Sequence, residues 1–457
     1  MLLRTSLLTG AAAAALVGAS LGGAAAAQPA TVVGAASAAP SFEGAQGTFV
    51  GVSPQRLLDT RTGNGAPKGL VGAGKEVSLL VTGRGGVPGG VSAVVLNLAA
   101  VAPSTNTFLT AYPSGTTRPA TSNLNVAARG NRANMVTVPV GADGRVRIYN
   151  STGTVHILAD VTGYYHGQAM PSGGPGSTYA PIEPERIFDS RSDGGVLASG
   201  DEVTIWLEFG PYANDIAALA TNVTVLGGSR PGFLSAGAAF TDAPASFSTI
   251  NYGQNQVIAN MSVGASGLSG TEVGFSVKNG GLGTVHAIVD VVGYYVKGDD
   301  QGLRFRPLAP TRIIDTRSGV GGPAKPLGAN EARLHTAPES VATIDTWALA
   351  ANTTIASPTA ATYVTVYDAD TAKPAVSNLN AARGETAANS TFVPLSIDTQ
   401  FRVHNAAGSA PVIMDVFGSF DLPAEQPPAP TSAPRISGSD RSAPTAPAPV
   451  GLRVTRD

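Results

Sequence analysis

The chain says nearly the same thing three times, and the length of the repeat limits what it can fold into. Ser53–Arg61 reads SPQRLLDTR, Glu183–Arg191 reads EPERIFDSR and Ala309–Arg317 reads APTRIIDTR. Each copy has its own closing segment: HILADVTGYY (His156–Tyr165), HAIVDVVGYY (His286–Tyr295) and PVIMDVFGSF (Pro411–Phe420). Asp59, Asp189 and Asp315 stand 130 and 126 residues apart. A solenoid turn or propeller blade spans only about 20–50 residues, whereas a self-contained domain spans about 100–150. Three tandem copies of one module follow. Tandem modules bind, space or display, which argues against a single-site enzyme.

The sequence divides accordingly. Residues 1–27 read as a signal peptide: one early charge (Arg4), an apolar Ala/Gly/Leu stretch, and Ala25-Ala26-Ala27 before Gln28 as a cleavage site. Residues 28–47 form an Ala/Gly/Ser/Pro-rich leader, 48–166 module 1, 167–177 a linker, 178–296 module 2, 297–302 a linker and 303–421 module 3. Residues 422–457 form a Pro/Ala-rich tail whose composition favours disorder. No run after the signal approaches the ~20 apolar residues of a spanning helix, so no transmembrane anchor is expected once it is removed.

There are no cysteines, which excludes disulfides, thiolate metal sites and a cysteine nucleophile. Charged residues are 13% of the chain and the net charge is −2, without the basic face a nucleic-acid partner requires. Nothing in the sequence calls for a cofactor or a metal. No HExxH, G-x-S-x-G or P-loop pattern occurs. Asp368-Ala-Asp370 resembles a fragment of a calcium loop, but module 1 reads Pro113-Ser-Gly115 there.

Within module 1, short runs of Val, Leu, Ile and Thr alternate with Gly, Pro, Asn and Asp. They predict strands at 56–60, 76–82, 91–101, 107–112, 122–126, 135–140, 145–150 and 154–165. No helix is expected. The predicted fold is all-β: three tandem antiparallel β-sandwich, jelly-roll-like domains.

Two polar sets recur. The first is Arg56, Asp59, Arg61 and Asp160, repeated as Arg186, Asp189, Arg191 and Asp290, and again as Arg312, Asp315, Arg317 and Asp415. Asp160 and its equivalents lie among apolar neighbours, where a carboxylate needs a partner. The opening arginines are the recurring cations, so first and last strands are expected to lie side by side, joined by an Arg–Asp lock. The competing reading is a carboxylate site, with Asp59 and Asp160 as a hydrolase pair.

The second set is asparagine. Asn97, Asn222 and Asn352 follow the long apolar strand, and Asn134, Asn260 and Asn389 each fall nine residues after the last Asn of SNLN, STIN and SNLN. Asn offers two donors and an acceptor without charge, suited to capping a loop or to reading sugar hydroxyls. Asn125, Asn134, Asn380 and Asn389, with Tyr112 and Tyr367 as stacking rings at equivalent strand ends, are the candidate ligand-binding residues.

The S-P-x-R-L-L-D-T-R opening, the V-V-L-N strand, the S-N-L-N stretch, the V-P-V-G turn and the D-V-x-G-Y-Y ending together resemble a repeat of secreted actinobacterial proteins. The likeness covers module 1 throughout and much of module 3, and module 2 departs most. It implies secretion and modularity and carries no activity. Pro447–Thr455 resembles the first strand of a fibronectin type III domain. The expected protein is a non-enzymatic, monomeric, secreted tandem-repeat protein, extracellular or loosely cell-wall-associated. It would bind or space, with cell-wall or environmental polysaccharide as partner. The alternative is the accessory region of a larger extracellular hydrolase.

Overall fold

The computed structural model describes residues 41–169, 174–239, 247–298, 302–423 and 448–456. The predicted signal peptide, most of the leader and much of the tail lie outside them. The first copy contributes β1 (Phe49–Asp59), β2 (Glu76–Leu80), β3 (Val91–Val101), β4 (Thr107–Pro113), β5 (Leu124–Val126), β6 (Asn131–Pro139), β7 (Arg145–Asn150) and β8 (His156–His166). The second contributes β9 (Ser177–Asp189), β10 (Glu202–Glu208), β11 (Ile216–Leu226), β12 (Gly232–Ala238), β13 (Ile250–Tyr252), β14 (Val257–Ala265), β15 (Gly267–Ser269), β16 (Glu272–Asn279) and β17 (His286–Lys297). The third contributes β18 (Arg304–Asp315), β19 (Glu331–Thr336), β20 (Thr346–Ala356), β21 (Thr362–Asp368), β22 (Leu379–Ala381), β23 (Thr386–Pro394), β24 (Gln400–Asn405) and β25 (Val412–Asp421). A last strand, β26, runs Gly451–Arg456. Among the described residues the one helix is a 3-10 turn at Gly210–Asp215, and no helix is long and apolar enough to cross a membrane.

Every paired strand is antiparallel, so the all-β sandwich expectation holds. In the first copy an inner sheet ordered β1-β8-β3-β6 faces an outer sheet ordered β2-β7-β4-β5. That order, with first and last strands adjacent in one sheet, is the jelly roll. The second copy repeats it as β9-β17-β11-β14 over β10-β16-β12-β13, and the third as β18-β25-β20-β23 over β19-β24-β21-β22. Each sandwich has its own apolar core, built in the first from residues such as Leu58, Val94, Leu96, Leu109, Ile148 and Ile157.

β1 begins seven residues earlier than the sequence pattern suggests. Gly51 and Pro54 interrupt the apolar alternation, and the pairing with β8 accommodates them in register shifts between Gly51 and Gln55 and between Arg56 and Leu58. Part of the tail departs from the disorder expected of residues 422–457. β26 pairs with β10, Val454 packs against the second core, and Arg453 lies 4.8 Å over the Trp206 ring. The Gly-Leu-Arg-Val-Thr-Arg stretch alternates and contains no proline, so it can add an edge strand where the Pro-rich sequence before it cannot.

The inner sheets are buried on both faces. One face belongs to its own sandwich. The other carries Ala93 and Val95, Ala218 and Ala220, or Ala348 and Ala350, and all six sit in a single further cluster built from all three copies. The described residues all fall in one compact unit. The three sandwiches therefore close on one another rather than string out along linkers.

Candidate functional site

The closure is built from residues that recur. Phe49, Tyr179 and Phe305 stand at one position of the three opening strands, and Tyr165, Tyr295 and Phe420 at one position of the closing strands. Phe49 lies 4.4 Å from Tyr295 of the second copy, Tyr179 lies 4.6 Å from Phe420 of the third, and Phe305 stacks at 4.2 Å on Tyr165 of the first. The contact runs one to two, two to three and three to one, so the assembly is a closed ring within one chain. All six rings are essentially inaccessible to solvent. The tyrosine hydroxyls inside this apolar centre are satisfied: Tyr165 and Tyr295 share a 2.5 Å hydrogen bond, and Tyr179 donates to the Val292 carbonyl at 3.0 Å. The glycine of each closing motif has a steric reason. A Cβ on Gly163, Gly293 or Gly418 would come within 2.4, 2.4 or 2.2 Å of the ring of Phe49, Tyr179 or Phe305.

The opening strands also meet edge to edge. Phe49 pairs with Ser177, Tyr179 with Leu303, and the Phe305 amide donates to the Gly47 carbonyl at 2.8 Å.

Six asparagines follow the same cycle. The amides of Asn97, Asn222 and Asn352 donate to the carbonyls of Ser248, Ser377 and Ser122, each in the next copy, at 2.5, 2.7 and 2.6 Å. Asn260, Asn389 and Asn134 donate back to the Oδ1 atoms of Asn97, Asn222 and Asn352 at 3.2, 2.9 and 3.0 Å. Their own Oδ1 atoms accept from the amides of Met135, Met261 and Ser390 at 2.9, 3.0 and 3.1 Å. Each seam thus holds the same three bonds. Asn134 and Asn389, candidates for reading a ligand, are fully buried here and belong to the seams. The invariant nine-residue spacing reflects contact between copies rather than a binding loop.

The Arg and Asp residues meet within each copy. Arg56 donates to both carboxylate oxygens of Asp160, at 2.8 and 3.0 Å, and Arg312 does the same to Asp415, at 2.8 and 3.1 Å. Arg186 binds Asp290 at 2.9 and 3.5 Å. Burial pushes Asp290 up to about 6 against the pull of Arg186, and it pushes Asp415 up in the same way. The second carboxylate takes a different partner. Arg61 lies past the end of β1, in the turn, and wraps back on Asp59 through its backbone amide at 2.9 Å and its guanidinium at 3.0 and 2.7 Å. Arg191 closes on Asp189, and Arg317 on Asp315, in the same way. These bonds hold Asp59 and Asp189 below the usual carboxylate range, and Asp315 down to about 2. Every carboxylate of the set is already engaged by arginine. Among the described residues no cluster of three His, Asp or Glu side chains could hold a metal. Asp368 instead caps its own turn, accepting from the Asp370 amide at 2.8 Å.

The tyrosines proposed for stacking are covered. Tyr112 is 3% exposed, donates to Glu76, and has its hydroxyl pushed up to about 12 by burial and that bond; Tyr367 is 5% exposed. Their strand-end position faces outward, but the following loop folds back over the outer sheet. Arg118 of that loop lies 3.8 Å over the Tyr149 ring, and Thr110 donates to Thr121 at 2.6 Å.

A second set of rings lies at the other end of the same strands, with Phe233 half-buried. Phe108, Phe233 and Tyr363 occupy one position in the three copies and face Asn125, Asn251 and Asn380 across the strand pair. Phe108 and Tyr363 are each 37% exposed. Asn125 and Asn380, both half-buried, each accept from a serine hydroxyl three residues earlier at 3.2 Å, whereas Asn251 donates its amide nitrogen to Ser248 at 3.0 Å. The sequence signal was available: an aromatic at the second residue of this strand in all three copies. At the seam between first and third copies, Phe108 and Asn125 line a groove of about 460 Å³ with Asn106, Ser151, Thr152 and, from the third copy, Glu385. Arg132 pairs with Glu385 across it.

No family model matches the sequence, and no curated protein matches it. Two solved structures align at low similarity. One, described as "The Triple Jelly Roll Fold and Turret Assembly in an Archaeal Virus", is 10% identical over 82% of this chain and 91% of its own, with a TM-score of 0.18. The other, described as "Life in the extremes: atomic structure of Sulfolobus Turreted Icosahedral Virus", is 8% identical over 78% of this chain and 86% of its own, with a TM-score of 0.16. At such scores the backbones do not superimpose.

Proposed function

We propose that this is a secreted, non-enzymatic protein of the cell envelope or extracellular space that binds polysaccharide as a rigid, threefold display. The observation that carries the reading is the aromatic–asparagine pair repeated on three outer sheets, exposed in the first and third copies and half-buried in the second. An aromatic face beside an outward amide can stack on a sugar ring while bonding its hydroxyls. The seam groove adds hydroxyls and an already neutralised Arg132–Glu385 pair, which suits an uncharged polyhydroxylated ligand. Three weak sites on one rigid body gain through effective concentration along a polymer. The engagement of every recurring carboxylate by arginine supports a structural rather than a catalytic role for that set. The apolar inner faces find their partners within one chain, which supports a monomer.

Pull-down on insoluble peptidoglycan, chitin and cellulose, with a glycan array, tests this. The secreted protein should be retained on at least one polymer, and Phe108→Ala/Phe233→Ala/Tyr363→Ala should lose retention while keeping its melting temperature. Retention unchanged in that variant, or absent for every glycan, would overturn the reading.

A further inference from the structure

The pseudo-threefold symmetry breaks at one place. On the outer sheets, Tyr112 and Arg147 of the first copy correspond to Tyr367 and Arg402 of the third. The second copy has Gly237 and Ser276 there, again directly paired. Two large side chains are thus replaced by almost nothing, and a cavity of about 290 Å³ opens between the second copy and Val52–Pro54 of the first. The equivalent seam between the third copy and Pro181–Pro184 of the second retains Tyr367, and its cavity is about 160 Å³. A Cβ built on Gly237 meets nothing within 4 Å.

We infer that the cavity at this seam is a second binding site, for a single neutral sugar ring. Its volume sits at the lower edge of ligand pockets, roughly 300–1,000 Å³. The walls carry more hydroxyls than a lipid site needs. Ser53, Ser235, Ser262 and Ser276 line it, and so does Thr162 of the first copy. The Thr162 hydroxyl is buried and has no hydrogen-bond partner. The equivalent residues are Val292 and Phe417, so a hydroxyl stands in this position only where the cavity is open. An unsatisfied buried hydroxyl is destabilising, a deficit that a ligand hydroxyl removes. Glu202 and Lys278 pair at 3.2 Å in the same wall. Side by side they accept from and donate to neighbouring hydroxyls of one ring, and their charges cancel, which disfavours an ionic ligand. Phe247 supplies an apolar surface for the ring's C–H face.

The ligand class rests on the polysaccharide reading above; the site itself rests on the broken symmetry and the orphaned Thr162 hydroxyl. Saturation-transfer NMR and calorimetry on the full chain, with methyl glucoside, methyl mannoside and N-acetylglucosamine as probes, test it. At least one probe should bind the wild type and the triple aromatic variant alike. Gly237→Tyr/Ser276→Arg, which restores the residues of the other copies, should abolish that binding. Thr162→Val, which installs the residue of the second copy, should weaken it about tenfold or more, the loss expected for one buried hydrogen bond. The inference fails if no probe binds, if binding survives both variants, or if it is lost in the triple aromatic variant, which would place the sugar on the outer faces. Binding of laurate in place of the sugars would also overturn it.

Discussion

Replacing Asn260 with alanine removes three hydrogen bonds at once from a site with no solvent. The side chain donates to the Thr249 carbonyl at 2.6 Å and to Asn97 Oδ1 at 3.2 Å, and it accepts from the Met135 amide at 2.9 Å. The first bond lies within the second copy and the other two cross to the first. Asn260 is 0% exposed, so water does not replace the lost partners without rearrangement. Each buried polar group left unsatisfied costs about 1–3 kcal/mol. The Met135 amide and the Thr249 carbonyl lose short bonds, whereas Asn97 Oδ1 loses only a long one; the bond from Asn97 Nδ2 to Ser248 does not replace it. Two strongly affected groups and one weakly affected group give a loss of about 3–6 kcal/mol, a large share of the ~5–15 kcal/mol that holds a typical domain. Urea denaturation followed by near-ultraviolet and far-ultraviolet dichroism measures it. The variant should unfold at a much lower midpoint, with the loss of the seam seen by the tyrosine signal no later than loss of the sheets. A loss under about 1 kcal/mol would refute the reasoning, since even one orphaned buried amide should exceed it.

Asp160→Asn leaves Arg56 without its counter-charge, but Arg56 is partly exposed and retains Asp59 at 3.5 Å. The expected loss is about 2–3 kcal/mol, below the ~3–5 of a fully buried pair, with glycan retention unchanged; an unchanged denaturation midpoint with lost retention would make the carboxylate functional. Asp315, held at about 2 by Arg317, contributes stability that is present above the unfolded carboxylate value of about 4 and is lost as pH falls through about 2. Asp290 has the opposite sign: its carboxyl is raised to about 6, so its contribution is fullest below about 4 and is lost as pH rises through 6. Denaturation midpoints between pH 4 and 2 should therefore fall less steeply in Asp315→Asn than in the wild type, and parallel declines would count against the assignment.

The strands were legible because their residues are. Runs such as Val91–Val101 and the alternation of Arg145–Asn150 fix where β3 and β7 lie, and the observed bounds follow them. That Asp160 pairs with an opening arginine was legible too, because a carboxylate among apolar residues needs a cation and the repeat supplies two; spacing does not choose between Arg56 and Arg61. The ring closure was harder to see. A residue that recurs in every copy can bond within its copy or to the next, and spacing alone does not separate the two. Asn134 and Asn389, which spacing alone leaves open to a ligand, bind neighbouring copies. A hint lay in β3, whose Ala93 and Val95 face away from the sandwich core yet are apolar, a pattern that requires a second covering surface. Tyr112 and Tyr367 are buried although their strand face points away from the core, because the strand pattern gives a residue's face but not what lies over it.

The central claim is that three sandwiches close into one ring, and small-angle X-ray scattering on residues 41–423 tests it most directly. A single compact body of about 380 residues has a radius of gyration of about 21 Å. Three domains of about 120 residues, each with a radius near 14 Å and strung end to end, would give about 30 Å or more. The closed ring predicts a value near the first, with a bell-shaped Kratky profile. A value near the second, or a plateau characteristic of flexibly joined domains, would contradict it.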